Sequence, residues 1–114
     1  MPFINTKVTV PVSKEKELAI KAAFGKAITA IRGKSEAWLM VCIEDNCRMY
    51  FRGEGDLPCA FIEVKLYGKA SGEEYELLTE KLSDIISRNL NINSDRIYIK
   101  YDETAYWGFN GHNF

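Results

Sequence analysis

A chain of 114 residues, 46% hydrophobic and 27% charged, reads as one soluble globular domain over residues 1–114, long enough for a single core. Its net charge of −1, with Lys and Arg scattered singly, offers no basic stripe to nucleic acid. No apolar run approaches a membrane span and no basic-then-apolar leader opens the chain, so cytoplasmic synthesis is expected, with any secretion bypassing the usual signal peptide.

The chain opens on Met1-Pro2, directly ahead of a strand-like run. Aminopeptidases remove Met ahead of a small residue, which would leave Pro2 as a secondary amine at the head of a strand. From Phe3 to Val10 the residues alternate, with Ile4, Thr6, Val8 and Val10 on one face, until Pro11 stops the run. Ser13 is placed to cap a helix on which Ile20, Phe24, Ala27, Ile28 and Ile31 recur at helical spacing, and Gly33 supplies the stop. The apolar run Ala37–Ile43 predicts a central strand. Beyond the polar turn Glu44-Asp45-Asn46, Arg48–Phe51 predicts a short strand in a hairpin with it.

After the loop Gly53–Pro58 the opening pattern returns. Cys59–Tyr67 alternates, Gly68 breaks it, and Ser71-Gly72-Glu73-Glu74 has the form of a capping box. Tyr75, Leu78, Leu82, Ile85, Ile86 and Asn89 follow helical spacing, Asn91–Asp95 turns, and Arg96–Tyr101 predicts a last strand. Two β-α-β repeats imply an α+β fold, a four-stranded mixed sheet with both helices on one face. Apolar residues on the other face, among them Phe3, Phe61, Trp38 and Leu39, point to self-association. The aromatic tail Thr104–Phe114 is expected as short strands packed on a neighbouring subunit.

The chemistry-bearing types are few. Cys42, Cys47 and Cys59 form no Cys-x-x-Cys pair, and with His112 as the one imidazole a structural zinc site is hard to assemble, so free thiols and no metal are expected. His112 itself is expected in a turn. No phosphate-binding glycine loop and no Gly-x-Ser-x-Gly occurs. One pair does suggest a mechanism. A crossover helix returns the chain to the end where its first strand began, which brings Lys34 toward the Pro2 nitrogen. A lysine ammonium there disfavours protonation of the amine and attracts an anionic substrate group.

The Met-Pro start, Phe3-Ile4-Asn5-Thr6, the Gly33-Lys34 step, Leu57-Pro58-Cys59-Ala60, Tyr67-Gly68-Lys69 and Ser94–Tyr101 resemble, in order and over the whole length, the macrophage migration inhibitory factor family of the tautomerase superfamily. The resemblance implies a homotrimer whose sheets enclose a central barrel, with an active site at each subunit boundary. It also implies cofactor-free keto–enol tautomerisation of small aromatic 2-oxo acids such as phenylpyruvate, and of dopachrome-like substrates. Carried over by position, Pro2 is the catalytic base, and Lys34 with the Tyr67 backbone amide holds the substrate's oxygens. Tyr98 and Lys100 come from the adjacent subunit, and Trp107 and Phe114 form the apolar wall. Family members also act as extracellular signals through a cell-surface receptor, which gives a second reading: a secreted cytokine-like ligand. The chain departs from the family pattern at Lys100 (commonly Asn), at Tyr67 and Trp107 (commonly aliphatic) and at Trp38 (commonly Tyr). Phe61-Ile62 follow Cys59-Ala60, so the thiol pair of some members is missing.

Overall fold

The computed structural model describes residues 1–114. Four strands, β1 (Pro2–Val8), β2 (Met40–Glu44), β3 (Ala60–Tyr67) and β4 (Ile97–Thr104), form one sheet in the order β2-β1-β3-β4. β1 is parallel to β2 and β3 to β4, while β1 and β3 meet antiparallel, so each repeat supplies one parallel pair. Helices α1 (Lys14–Ala27) and α2 (Gly72–Leu90) cover one face, as the repeats predict.

Local chemistry accounts for the elements. Pro2, Ile4, Thr6 and Val8 of β1 are buried and their neighbours are not, and Ala60, Ile62, Val64 and Leu66 repeat the pattern on β3. These rows meet Ile20, Phe24 and Ala27 of α1 and Leu78, Leu82 and Ile86 of α2 in a single core. Burying one such Leu or Ile fully contributes about 1.5–3 kcal/mol. Ser13 Oγ accepts the Lys16 N–H at 3.2 Å, and the Ser71–Glu74 capping box is complete. α2 ends where Asn91 turns left-handed at φ 57°.

Four expectations change. The first helix loses its α geometry at Ala27, passes through a 3-10 turn at Ile28–Ala30, and leaves Ile31 extended yet buried. The second strand begins at Met40, because β1 opens at Pro2 and its first partner on that side is Met40 opposite Phe3. Residues Glu36–Trp38 form a 3-10 turn instead. Arg48–Phe51 makes no strand beside β2. The Asn46 and Cys47 amides donate to Val10 and Val8 carbonyls at 3.1 and 2.9 Å, and the chain then reverses at Phe51–Glu54 with Arg52 and Gly53 at φ 55° and 74°. β2 therefore keeps a free edge. The uncovered face of the sheet is also less apolar than expected. Phe3, Met40, Cys42, Phe61 and Tyr98 share it with Asn5, Lys7, Glu44, Glu63, Lys65, Lys100 and Asp102, while Trp38 and Leu39 precede β2. A partner on this face must meet charge as well as hydrocarbon.

The tail forms the short strands expected of it, and within the chain it rests on Trp38 and Tyr67. β5 (Gly108–Phe109) and β6 (His112–Asn113) pair across Asn110-Gly111, whose φ angles of 53° and 83° suit a tight hairpin turn. His112 thus lies in a strand just beyond the turn. Cys42, Cys47 and Cys59 are free thiols. No helix is long and apolar enough to cross a membrane.

Candidate active site at the start of the first strand

Pro2 is buried at the head of β1, opposite Leu66 of β3. Met1 precedes it, and its carbonyl accepts the Tyr67 N–H at 3.2 Å. Lys34 reaches the same spot from the far end of the first crossover. Gly33, at φ 81°, turns the backbone, and the Lys34 amide donates to the Ile31 carbonyl at 3.1 Å. The half-buried side chain then donates from Nζ to the Tyr67 carbonyl at 2.9 Å. Tyr67 therefore offers one backbone group to each side of the site, its N–H to the N-terminus and its C=O to Lys34.

The electrostatic result is plain. The terminal amine is lowered from 8.0 to about 6, first by burial, then by its hydrogen bond to Lys34 and by the Lys34 charge. The lysine charge expected from the sequence acts here together with burial, on the amine that Met1 carries. Pro2 lies one residue further in and is more buried than Met1.

Aromatic side chains flank this corner. Phe114 lies 5.5 Å from Tyr67 between ring centroids and stacks on Phe109 at 6.0 Å, and Phe109 meets the edge of Trp38 at 5.3 Å. The Phe114 amide donates to the Trp107 carbonyl at 3.0 Å and closes the hairpin. Phe109 was not among the expected site residues. The Asn110-Gly111 pair was the signal that the tail would fold back and carry it here.

Tyr98 and Lys100 do not join this group within one chain. Tyr98 faces Phe61 and Lys100 faces Glu63, five and three positions along β3 from Leu66, or roughly 17 and 10 Å at the rise of a strand. Tyr98 instead touches Phe51 at 5.0 Å, and Lys100 pairs with Asp102 at 3.2 Å. Only a neighbouring subunit could bring them to a Pro2. No three His, Cys, Asp or Glu side chains converge as a metal site would need.

Comparison with known proteins agrees with this geometry. The family model for macrophage migration inhibitory factor matches residues 1–114. The macrophage migration inhibitory factor of Xenopus laevis is 32% identical over 91 residues, 78% of each chain. That of Rattus norvegicus is 28% identical over 116 aligned positions, covering 100% of this chain and 99% of the other. The crystal structure of Leishmania major MIF2 superposes with a TM-score of 0.92 at 30% identity, covering 100% of this chain and 97% of that one. With a whole-length family match, the two-repeat sheet and Lys34 beside the chain's first amine, the chain belongs to the macrophage migration inhibitory factor family, within the tautomerase superfamily.

Proposed function

We propose that the chain, once Met1 is removed, is a keto–enol tautomerase of small aromatic 2-oxo acids, of the phenylpyruvate tautomerase and dopachrome isomerase type, with Pro2 as its base. The observation that carries this reading is the Lys34 ammonium at the buried head of β1, on the Tyr67 carbonyl at 2.9 Å, where burial and that charge already lower the amine that Met1 carries. The same two causes act on a Pro2 amine at that place and favour its free base, whereas an ordinary terminus is mostly protonated at pH 7. The Pro2 nitrogen takes the proton from the carbon next to the ketone as that C–H bond breaks. The electron pair moves into the new C=C bond, and charge gathers on the former ketone oxygen. The Lys34 ammonium stabilises that charge, and the protonated Pro2 then gives its proton to that oxygen to form the enol. In the reverse direction the hydroxyl proton passes through Pro2 back to the carbon. The reaction balances without any redox partner.

Removing Met1 does more than free the base. The Met1 carbonyl now engages the Tyr67 N–H, so its departure releases that donor for a substrate oxygen. Trp107 and Phe114 supply the apolar wall for the aryl ring, and Tyr98 and Lys100 enter from a neighbouring subunit. Assembly as the homotrimer typical of the family completes each site. The free edge of β2 and the groove of about 570 Å³ beside it, lined by Phe3, Met40 and Ile43 among others, support such an assembly. Turnover of phenylpyruvate by the processed chain, compared with Pro2→Gly and with a form of intact mass that retains Met1, tests the reading. Loss in both variants is expected; undiminished turnover in either one removes Pro2 as the base.

The Xenopus and rat relatives are named as factors that inhibit macrophage migration, which favours a second reading, a cytokine-like ligand. On that reading a cell-surface receptor binds the trimer's outer surface, and a Pro2→Gly variant binds it as well as wild type. Receptor binding that falls with turnover would instead tie the contact to the active site.

A further inference from the structure

Glu74 joins the loop that carries Lys34 to the segment that follows Tyr67. Its Oε1 accepts the Ser71 N–H at 2.8 Å, which completes the capping box of α2. Its Oε2 accepts the Arg32 N–H at 2.6 Å, a contact across 42 residues of sequence. A helix cap needs only the first of these. The second fastens the backbone two residues before Lys34. Beside the Lys34 amide's bond to the Ile31 carbonyl and the Lys34 side chain's own bond to Tyr67, this is the contact that ties the Arg32 backbone to the second repeat, just ahead of the turn at Gly33, φ 81°. A carboxylate accepting two backbone N–H groups is a strong, directional anchor. The Arg32 amide, ahead of the Ser71 amide, holds the Glu74 carboxyl below its usual range. Arg32, Lys69 and Glu73 line the same concavity and are exposed.

We propose that Glu74 is a positioning residue: by fastening the Arg32 amide it sets the reach of Lys34 toward Tyr67 and the terminal amine. The inference rests on the reading of Lys34 and the terminal amine as the working pair of the site. Releasing the Arg32 amide lets the Lys34 loop drift, which weakens the ammonium's hold on a substrate carboxylate. It also withdraws one of the influences that keep the amine unprotonated.

The test compares Glu74→Ala with Ser71→Ala in the assembled, processed protein. Ser71→Ala removes the hydroxyl that accepts the Glu74 N–H at 3.1 Å and so weakens the same helix end, while the Arg32 contact stays. Phenylpyruvate kinetics and a ¹⁵N titration of the terminal amine are the two readouts. In Glu74→Ala, KM rises about five- to tenfold, kcat falls with it as the ammonium also loses its hold on the developing oxygen charge, and the amine titrates about half a unit higher. Ser71→Ala loses comparable thermal stability and moves neither readout. Wild-type KM and amine titration in Glu74→Ala would overturn the proposal, as would equal shifts in Ser71→Ala. If the wild-type protein turned over no phenylpyruvate, the tautomerase reading would fail by itself. The amine titration would then still decide for Glu74 if it rose in Glu74→Ala alone, and against it otherwise.

Discussion

Lys34 Nζ donates to the Tyr67 carbonyl at 2.9 Å, while the N–H of the same residue donates to Met1. One residue at the end of β3 thus fixes a cation on one side and the chain terminus on the other. The arrangement separates two causes that keep the terminal amine unprotonated, because burial belongs to the strand head and the charge belongs to a side chain that can be removed. Lys34→Ala leaves burial, the first cause, in place and deletes both others. The amine should therefore titrate between about 6 and 8.0, short of the value for a free peptide. The kcat/KM for phenylpyruvate should fall about 10²-fold through loss of the anion's partner. An amine still titrating at about 6 in this variant would show that burial alone accounts for the shift.

The same shift predicts a pH dependence of stability in the chain that retains Met1. The amine is lowered from 8.0 to about 6, so between those values the unfolded chain binds more protons than the folded one. Stability therefore rises with pH across this window: the penalty is complete below about 6 and absent above 8.0. Urea midpoints through the window should show this rise. Removal of Met1 should give a kcat/KM profile whose acid limb lies below the range of an ordinary terminal amine. A flat urea midpoint would place the amine in solvent.

Ser13, the alternation of β1 and Ser71-x-x-Glu74 were legible because each is a local bargain between a side chain and its nearest backbone. Arg48–Phe51 was not. Its composition suits a strand, but strands are decided by where amide groups find acceptors, and those of Asn46 and Cys47 find β1. Lys34 was brought toward the head of β1 from crossover geometry alone, and its side chain does reach that corner, on the Tyr67 carbonyl and beside the Met1 amine. Register decides the rest: Tyr98 and Lys100 share a strand with residues near the site yet stand several positions down it. Glu74 shows the limit most clearly. Its capping role is written in four consecutive residues, whereas its hold on Arg32 depends on two loops that only the folded chain brings together.

Arg96, expected to open the last strand, instead ends the 3-10 turn Ser94–Arg96 just ahead of β4. It is 5% exposed, and its Nε and Nη2 donate to the Pro58 and Leu57 carbonyls at 2.9 and 3.1 Å. Its guanidinium also lies 5.2 Å above the Phe51 ring. This clasp closes the loop that leads into β3. Arg96→Ala should cost about 3 kcal/mol, since two carbonyls lose a charged donor and a cavity opens under Phe51. Arg96→Lys keeps the charge but cannot fork, and should recover less than half of that loss. Chemical denaturation of both variants measures the difference; full recovery by lysine would mean that charge, and not the fork, holds the loop.

Leu82 offers the contrasting case of a residue with no polar role. It is 0% exposed in the single core between the helices and the sheet. Leu82→Ala should destabilise the chain by about 2–5 kcal/mol. Phenylpyruvate KM should be unchanged at temperatures where the variant is folded, because α2 still presents Glu74 to Arg32. A raised KM in the folded variant would mean that core packing, and not hydrogen bonding, sets the Lys34 loop.

The tail hairpin gives the sharpest test of the aromatic corner. Phe109 is wedged between Trp38, at 5.3 Å, and Phe114, at 6.0 Å, and Phe114 in turn rests on Tyr67. Gly111 sits at φ 83°, where a side chain strains the turn even though nothing crowds it. Two different lesions should therefore have one consequence. Phe109→Ala removes the wedge, and Gly111→Val opposes the turn; each frees Phe114 from its place beside Tyr67. Because the hairpin lies outside the core cluster, global stability should change by less than about 1 kcal/mol in either variant. Phenylpyruvate KM should rise about three- to tenfold, while a small aliphatic 2-oxo acid, which has no ring to seat on Phe114, should show little change. Equal losses for both substrates would assign the tail to assembly of the site and not to recognition of the ring.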